Sequence, residues 1–168
     1  MNYNQSAIAR IGDIHRGIMV NTGTLANATY MAQAQKSLFT VVGRVQIVLL
    51  MGEAVTVFDS VATTLQFNFT QTTPAVAVAA LCGLSASLSG LAQGGHITCP
   101  GTSAATAAVI ASAAGIAFPP TTSLNIGTIG GAGTIGILTG TASQTTGTCL
   151  FTCCYFPLSD GAYVSALV

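Results

Sequence analysis

The stretch Ala62-Thr-Thr-Leu-Gln-Phe-Asn-Phe-Thr70 decides the fold class. Leu65, Phe67 and Phe69 fall on one side of an extended chain, and Thr64, Gln66, Asn68 and Thr70 on the other. Successive side chains of a strand point to opposite faces, so a period of two with an apolar and a polar set describes a half-buried antiparallel strand. Thr72-Thr73-Pro74 ends it. Upstream, residues 37–42, Gly43 and residues 44–51 read as strand, break and strand. Val45, Ile47 and Leu49 alternate with Gln46, Val48 and Leu50, an apolar set on both faces, which predicts a strand covered on two sides. Downstream, residues 148–156 form the last long strand, closed by Pro157. Cys149, Phe151, Cys153 and Tyr155 share one of its faces and Cys154 takes the other.

Between these strands the pattern is weaker. Leu81, Leu84, Leu88 and Leu91 fit helical spacing, but Gly83 and Gly90 oppose a helix there, so residues 75–91 read either way. Residues 104–118 are equally ambiguous and stop at Pro119-Pro120. Gly94-Gly95 and Pro100-Gly101 bracket a short strand at residues 96–99. The direct repeat Gly127-Thr-Ile-Gly130 and Gly133-Thr-Ile-Gly136 predicts a hairpin turning around residues 130–133. Residues 1–36 differ from the rest. They mix Asn, Gln, Ala and Ile with several charges and hold no sustained period, with a short helix expected around residues 25–36. Many short strands with glycine punctuation predict an all-β domain: a β-sandwich or jelly roll over residues 37–168, preceded by an extended or partly helical arm over 1–36.

Composition restricts the function. The chain has 168 residues, 51% hydrophobic and 5% charged, with 4 Lys+Arg, 4 Asp+Glu and zero formal net charge. Nucleic-acid binding is excluded, because neutralising phosphates takes clustered Lys and Arg. Charge-driven disorder is excluded too. Arg10, Asp13, Arg16, Lys36, Arg44, Glu53 and Asp59 precede residue 60, and the next charge is Asp160. A surface so poor in charge associates unless it is covered, either by other subunits or by lipid. The runs 75–92 and 104–118 are built from Ala, Ser, Thr and Gly and lack anchoring flanks, so a spanning helix is not expected, while a transmembrane barrel gives too faint a strand signal to be read out. Residues 1–17 carry no continuous apolar core of the secretory kind.

The chemical motifs are thin. Gly131-Ala-Gly133-Thr-Ile-Gly136 matches a dinucleotide fingerprint as a string but lacks a strand–helix setting. Asp13 and His15 would share a face of an extended chain and could support acid–base work, yet they lie in the arm, where a solvated or interfacial pair is expected. Glu53 and Asp59 flank a connection between strands and read as solubilising or interface charges. His96 and Cys99 lack the paired spacing of a zinc site. The five cysteines, 82, 99, 149, 153 and 154, are odd in number and are expected to be buried and reduced. Asn4, Asn27 and Asn68 match the glycosylation pattern, by chance on this reading. No enzyme activity, cofactor or metal is expected.

Ser37-Leu-Phe-Thr-Val-Val-Gly43, residues 44–53, the strand at 62–70 and the ending Tyr155-Phe-Pro-Leu-Ser-Asp-Gly-Ala-Tyr-Val164 together resemble a group of small structural proteins of tailed bacteriophages. The resemblance implies a virion component on the outer capsid surface, a head decoration or cement protein, β-rich and often trimeric. Its implied partners are the major capsid protein and further copies of itself, with neither nucleic acid nor membrane. A tail, fibre or other virion subunit is the alternative within that group; a membrane β-barrel or pore is the alternative outside it. In an assembly role Arg10, Asp13, Arg16 and Lys36 are the expected contacts, since charges at a subunit boundary fix register even where they add little affinity.

Overall fold

The computed structural model describes residues 17–72, 75, 77–101, 105–111 and 126–168. Of these, 56% lie in strands or bridges and 3% in helix, as the alternation at residues 64–70 predicts. Eleven strands are present among the described residues: β1 (Ile18–Ala26), β2 (Gln35–Val42), β3 (Val45–Thr56), β4 (Thr64–Gln71), β5 (Ala79–Ala80), β6 (His96–Thr98), β7 (Val109–Ala111), β8 (Gly127–Ile129), β9 (Gly133–Gly140), β10 (Thr148–Pro157) and β11 (Tyr163–Ala166). One short helix, α1 (Asn27–Tyr30), follows β1. All strand pairs are antiparallel. The first sheet runs β1-β10-β3-β6-β7, with β8 also on β3; the second runs β11-β2-β9-β4-β5.

The two sheets enclose a core set by the strand period. Leu65 and Phe67 of β4, Ile135 and Ile137 of β9, and Phe39 and Val41 of β2 fill it from the second sheet. Cys149, Phe151, Cys153 and Tyr155 of β10 face them from the first, the face the alternation assigns, while Cys154 is only partly covered. The rings of Phe67 and Phe151 meet edge to face across the sheets, with centroids 6.1 Å apart and planes at 84°, a favoured arrangement of two aromatic quadrupoles. Gly52 of β3 admits the second ring, because a Cβ there would lie 2.8 Å from Cε1 of Phe151. Asn68 departs from the half-buried pattern. It is in phase with Gln66 and Thr70, yet it is buried and its amide atoms have no hydrogen-bond partner.

Four expectations change. On β3 the apolar set on both faces comes from a bulge. The pairing to β10 passes from Tyr155↔Ile47 to Cys154↔Leu49, so Val48 is extra. Buried positions are Val45 and Ile47 before it and Leu50, Gly52 and Ala54 after it, because one inserted residue flips the phase. The repeat at residues 127–136 is not a hairpin. β8 pairs with β3 and β9 pairs with β2 and β4, so residues 130–132 carry the chain from one sheet to the other. Nor does the sandwich begin at residue 37. β1 pairs with β10 along its length, and Leu25 and Met31 are buried in the core. Polar residues mislead here because β1 is an edge strand and exposes most of its side chains. The helix expected at residues 25–36 shrinks to the four residues of α1.

The ambiguous segment 81–91 is extended rather than helical. The N–H groups of Leu81, Ser85 and Leu88 donate to the carbonyls of Phe67, Leu65 and Thr63. In return Ser85 Oγ accepts from the Leu65 N–H at 2.9 Å, and Cys82 Sγ from the Phe67 N–H at 3.4 Å. Side chains thus satisfy the edge of β4 where a regular partner strand stops. In residues 104–118, the part described from 109 to 111 is the strand β7.

Candidate assembly surface

Strand register places several exposed apolar side chains at one end of the sandwich. Val42 and Val45 flank the turn between β2 and β3. Tyr163 pairs with Val42, Pro157 with Val45, and Ile18 with Tyr155, two residues before Pro157. Leu158 follows directly, its N–H bonded to the Arg44 carbonyl at 2.8 Å. Ile18, Met19, Leu158 and Tyr163 are all exposed, Met19 by 68%. β1 and β11, edges of different sheets, approach each other along this side, and neither carries a charged residue. Past β11, Leu167 and Val168 are also exposed. Single exposed apolar residues are ordinary, whereas a group of them on adjacent strand edges marks an interaction surface.

Two opposite charges border this group. Arg44 and Asp160 are exposed in the two connections that form the end, and those connections are joined by the Arg44 N–H donating to Ser159 Oγ at 3.1 Å. An apolar centre with a charged rim is the ordinary anatomy of a protein–protein interface. Both signs on one rim also suit contact with a neighbouring copy of this chain.

The sequence-predicted contacts distribute differently. Arg10, Asp13 and Arg16 lie outside the described residues, as do His15 and Asn4. Gly17, next in the chain, rests against Cys154 and Phe156, so the chain enters the sandwich at this same end. Lys36 is half-buried on β2, opposite Ile137. It is six residues from Val42, about 20 Å along the strand at ~3.3 Å per residue, and is not brought to the exposed group. In the sequence Arg44 and Asp160 do not stand out, because charge in a connection reads as solubilising, and Tyr163 is one aromatic near the end of the chain; only the register shows that the two connections meet beside it.

A second polar cluster joins loops near the C-terminal end of β3. Asp59 accepts from the Thr145 N–H at 2.6 Å, Thr145 Oγ1 at 2.8 Å, the Thr146 N–H at 3.2 Å and the Val61 N–H at 3.1 Å. What burial there is works to raise its pKa, but the hydrogen bonds from Thr145, Val61 and Thr146 win together, and the carboxyl is held below its usual value. Gln144 is buried; its Oε1 accepts from the Asp59 N–H and its Nε2 donates to the Val61 carbonyl. Asn27 Nδ2 donates to the Thr146 carbonyl. The Asp59 carboxylate and the Gln144 amide are both taken up in holding loops, which favours a structural role over chemistry at Asp59. Glu53 sits within β3, opposite Leu150 and His96, and not beside Asp59.

Among the described residues no group of three or more His, Cys, Asp or Glu side chains comes together. The fingerprint-like glycines 133 and 136 lie within β9. All five cysteines are free thiols. Burial pushes Cys149 up to about 12, and burial with the neighbouring Cys154 does the same for Cys153, so neither ionises readily. No described helix is long and apolar enough to cross a membrane. Comparison with family models, curated proteins and solved structures finds no match for this chain.

Proposed function

We propose that this chain is a non-enzymatic structural subunit of a virion, a capsid decoration or cement protein that works through oligomeric interfaces on the outer surface of the head. The observation that carries the reading is the exposed group Ile18, Met19, Leu158 and Tyr163 between the uncharged edges β1 and β11. The stretch 155–164, on which the resemblance to phage structural proteins is most specific, supplies Leu158, Asp160 and Tyr163 of that surface. A second copy is the expected occupant, giving a homo-oligomer, a trimer by the resemblance, with the major capsid protein as further partner. Covering apolar area at ~25 cal/mol per Å² drives the contact, and repetition over a lattice turns modest contacts into large avidity. Arg10, Asp13, Arg16 and Lys36 remain proposed contacts on the capsid side.

A tail or fibre subunit is the second reading, since the same edges would serve there. The filled interior, with Phe67 against Phe151, supports a packed subunit over a pore. Mass spectrometry of purified particles, followed by image reconstruction, tests the proposal. Density for a two-sheet β-sandwich on the head exterior is the expected result. Density confined to the tail transfers the role to the second reading, and absence from particles overturns both.

A further inference from the structure

Two cysteines come together from opposite sheets. Cys82 lies beside β4 at the edge of the second sheet, its sulfur fixed by the Phe67 N–H at 3.4 Å. Cys99 follows β6 of the first sheet, its own N–H bonded to the Leu50 carbonyl at 2.9 Å. Its Sγ donates to the Leu81 carbonyl oxygen at 3.7 Å, next to Cys82, close enough for each thiol to shift the other's ionisation. Both are buried, at 0% and 3% exposure. Hydrogen bonds at both cysteines thus anchor the two thiols on neighbouring segments of opposite sheets.

We propose that Cys82 and Cys99 form a latent cross-sheet disulfide, reduced at synthesis and closed by a hydroperoxide. Cys82 is the attacking sulfur. The Cys99 thiol donates to it, burial opposes ionisation, and the Phe67 N–H assists, so its pKa is lowered, while Cys99 keeps its proton. The Cys82 thiolate attacks the peroxide O–O bond; with one proton taken up, water or an alcohol leaves and Cys82 becomes a sulfenic acid. The Cys99 sulfur then attacks Cys82 sulfur, and the hydroxyl departs as water with the Cys99 proton. Two thiols are oxidised by two electrons and one peroxide is reduced. Cys149, Cys153 and the more exposed Cys154, all raised by burial, are the slower thiols. The bond ties the irregular segment after β5 to β6 and closes a loop of about 17 residues, enough to raise Tm by about 6–12 °C. The inference rests on the fold and not on the virion role.

The test treats the full chain with hydrogen peroxide, alkylates the remaining thiols under denaturing conditions, and maps disulfide-linked peptides by mass. The expected result is two fewer alkylated thiols than in untreated protein, a Cys82–Cys99 linked peptide, and a rise in Tm that a dithiol reverses. Cys99→Ala should retain Cys82 as a sulfenic or higher oxide and show no such rise. A different linked pair, full alkylation after treatment, or an unchanged Tm in cross-linked protein would overturn the proposal. Mapping of the unsubstituted chain decides the matter even if a variant does not fold.

Discussion

Substituting Gly52→Ala tests the packing between the sheets at its tightest point. The new methyl carbon would stand 2.8 Å from Cε1 and 3.1 Å from Cδ1 of Phe151. That ring is fully buried and already meets Phe67 edge-on, so it has no free direction in which to withdraw. Overpacking of this kind costs ~1–3 kcal/mol. Losing glycine's freedom in the unfolded chain offsets ~0.4–1 kcal/mol. The net is a destabilisation of about 1–2 kcal/mol, or a Tm lower by roughly 2–8 °C for a chain of this size. Urea unfolding followed by circular dichroism measures it. Phe151→Leu alone should also destabilise, by about 1–2 kcal/mol, through the lost ring volume. The double variant should cost less than the sum of the two by at least ~0.5 kcal/mol, since leucine vacates the space the methyl needs. A neutral Gly52→Ala, or strict additivity in the pair, would refute the account of the core.

Other positions give further outcomes. Thr141 is β-branched yet has φ of 71°, a left-handed conformation costing ~1–2 kcal/mol; Thr141→Gly should raise stability by about 1 kcal/mol in the same urea assay. Gln144→Ala should lower it by about 1–3 kcal/mol by leaving the Asp59 N–H and Val61 carbonyl unpaired. Asp59 has a folded-state pKa below its unfolded value, so its contribution is present above the unfolded pKa near 4 and is lost as pH falls through the folded value. A pH series of unfolding curves should therefore show wild type losing its advantage over Asp59→Asn in that window, an advantage of about 1 kcal/mol for an exposed carboxylate; a constant gap down to the lowest pH would contradict it.

The legibility of this chain varies with local regularity. β4 and β10 could be read directly, because the buried apolar residues of each keep one phase, Leu65, Phe67 and Phe69 on β4 and Cys149, Phe151, Cys153 and Tyr155 on β10, with only the polar Asn68 and Thr152 buried against it. β3 could not, because the bulge at Val48 changes phase midway and makes one buried face look like two. The glycine repeat at residues 127–136 was misleading for a different reason. Local pattern shows that two short strands follow one another, but not that each pairs elsewhere in the chain. The spaced leucines at 81–91 imitate a helix, while the carbonyls of β4 hold that segment extended through long-range bonds. The exposed group at Ile18 and Tyr163 was invisible for the same reason: its members are brought together by register alone.

Self-association through the β1–β11 side is the central claim, and sedimentation velocity without detergent tests it most directly. The account predicts a species of about three times the 16.8 kDa chain mass, in which Met19→Lys, placing a charge at an exposed apolar edge, shifts the population to monomer while circular dichroism stays that of a β protein. A wild-type chain that sediments as a monomer across the accessible concentration range, or an oligomer that Met19→Lys leaves unchanged, would contradict it.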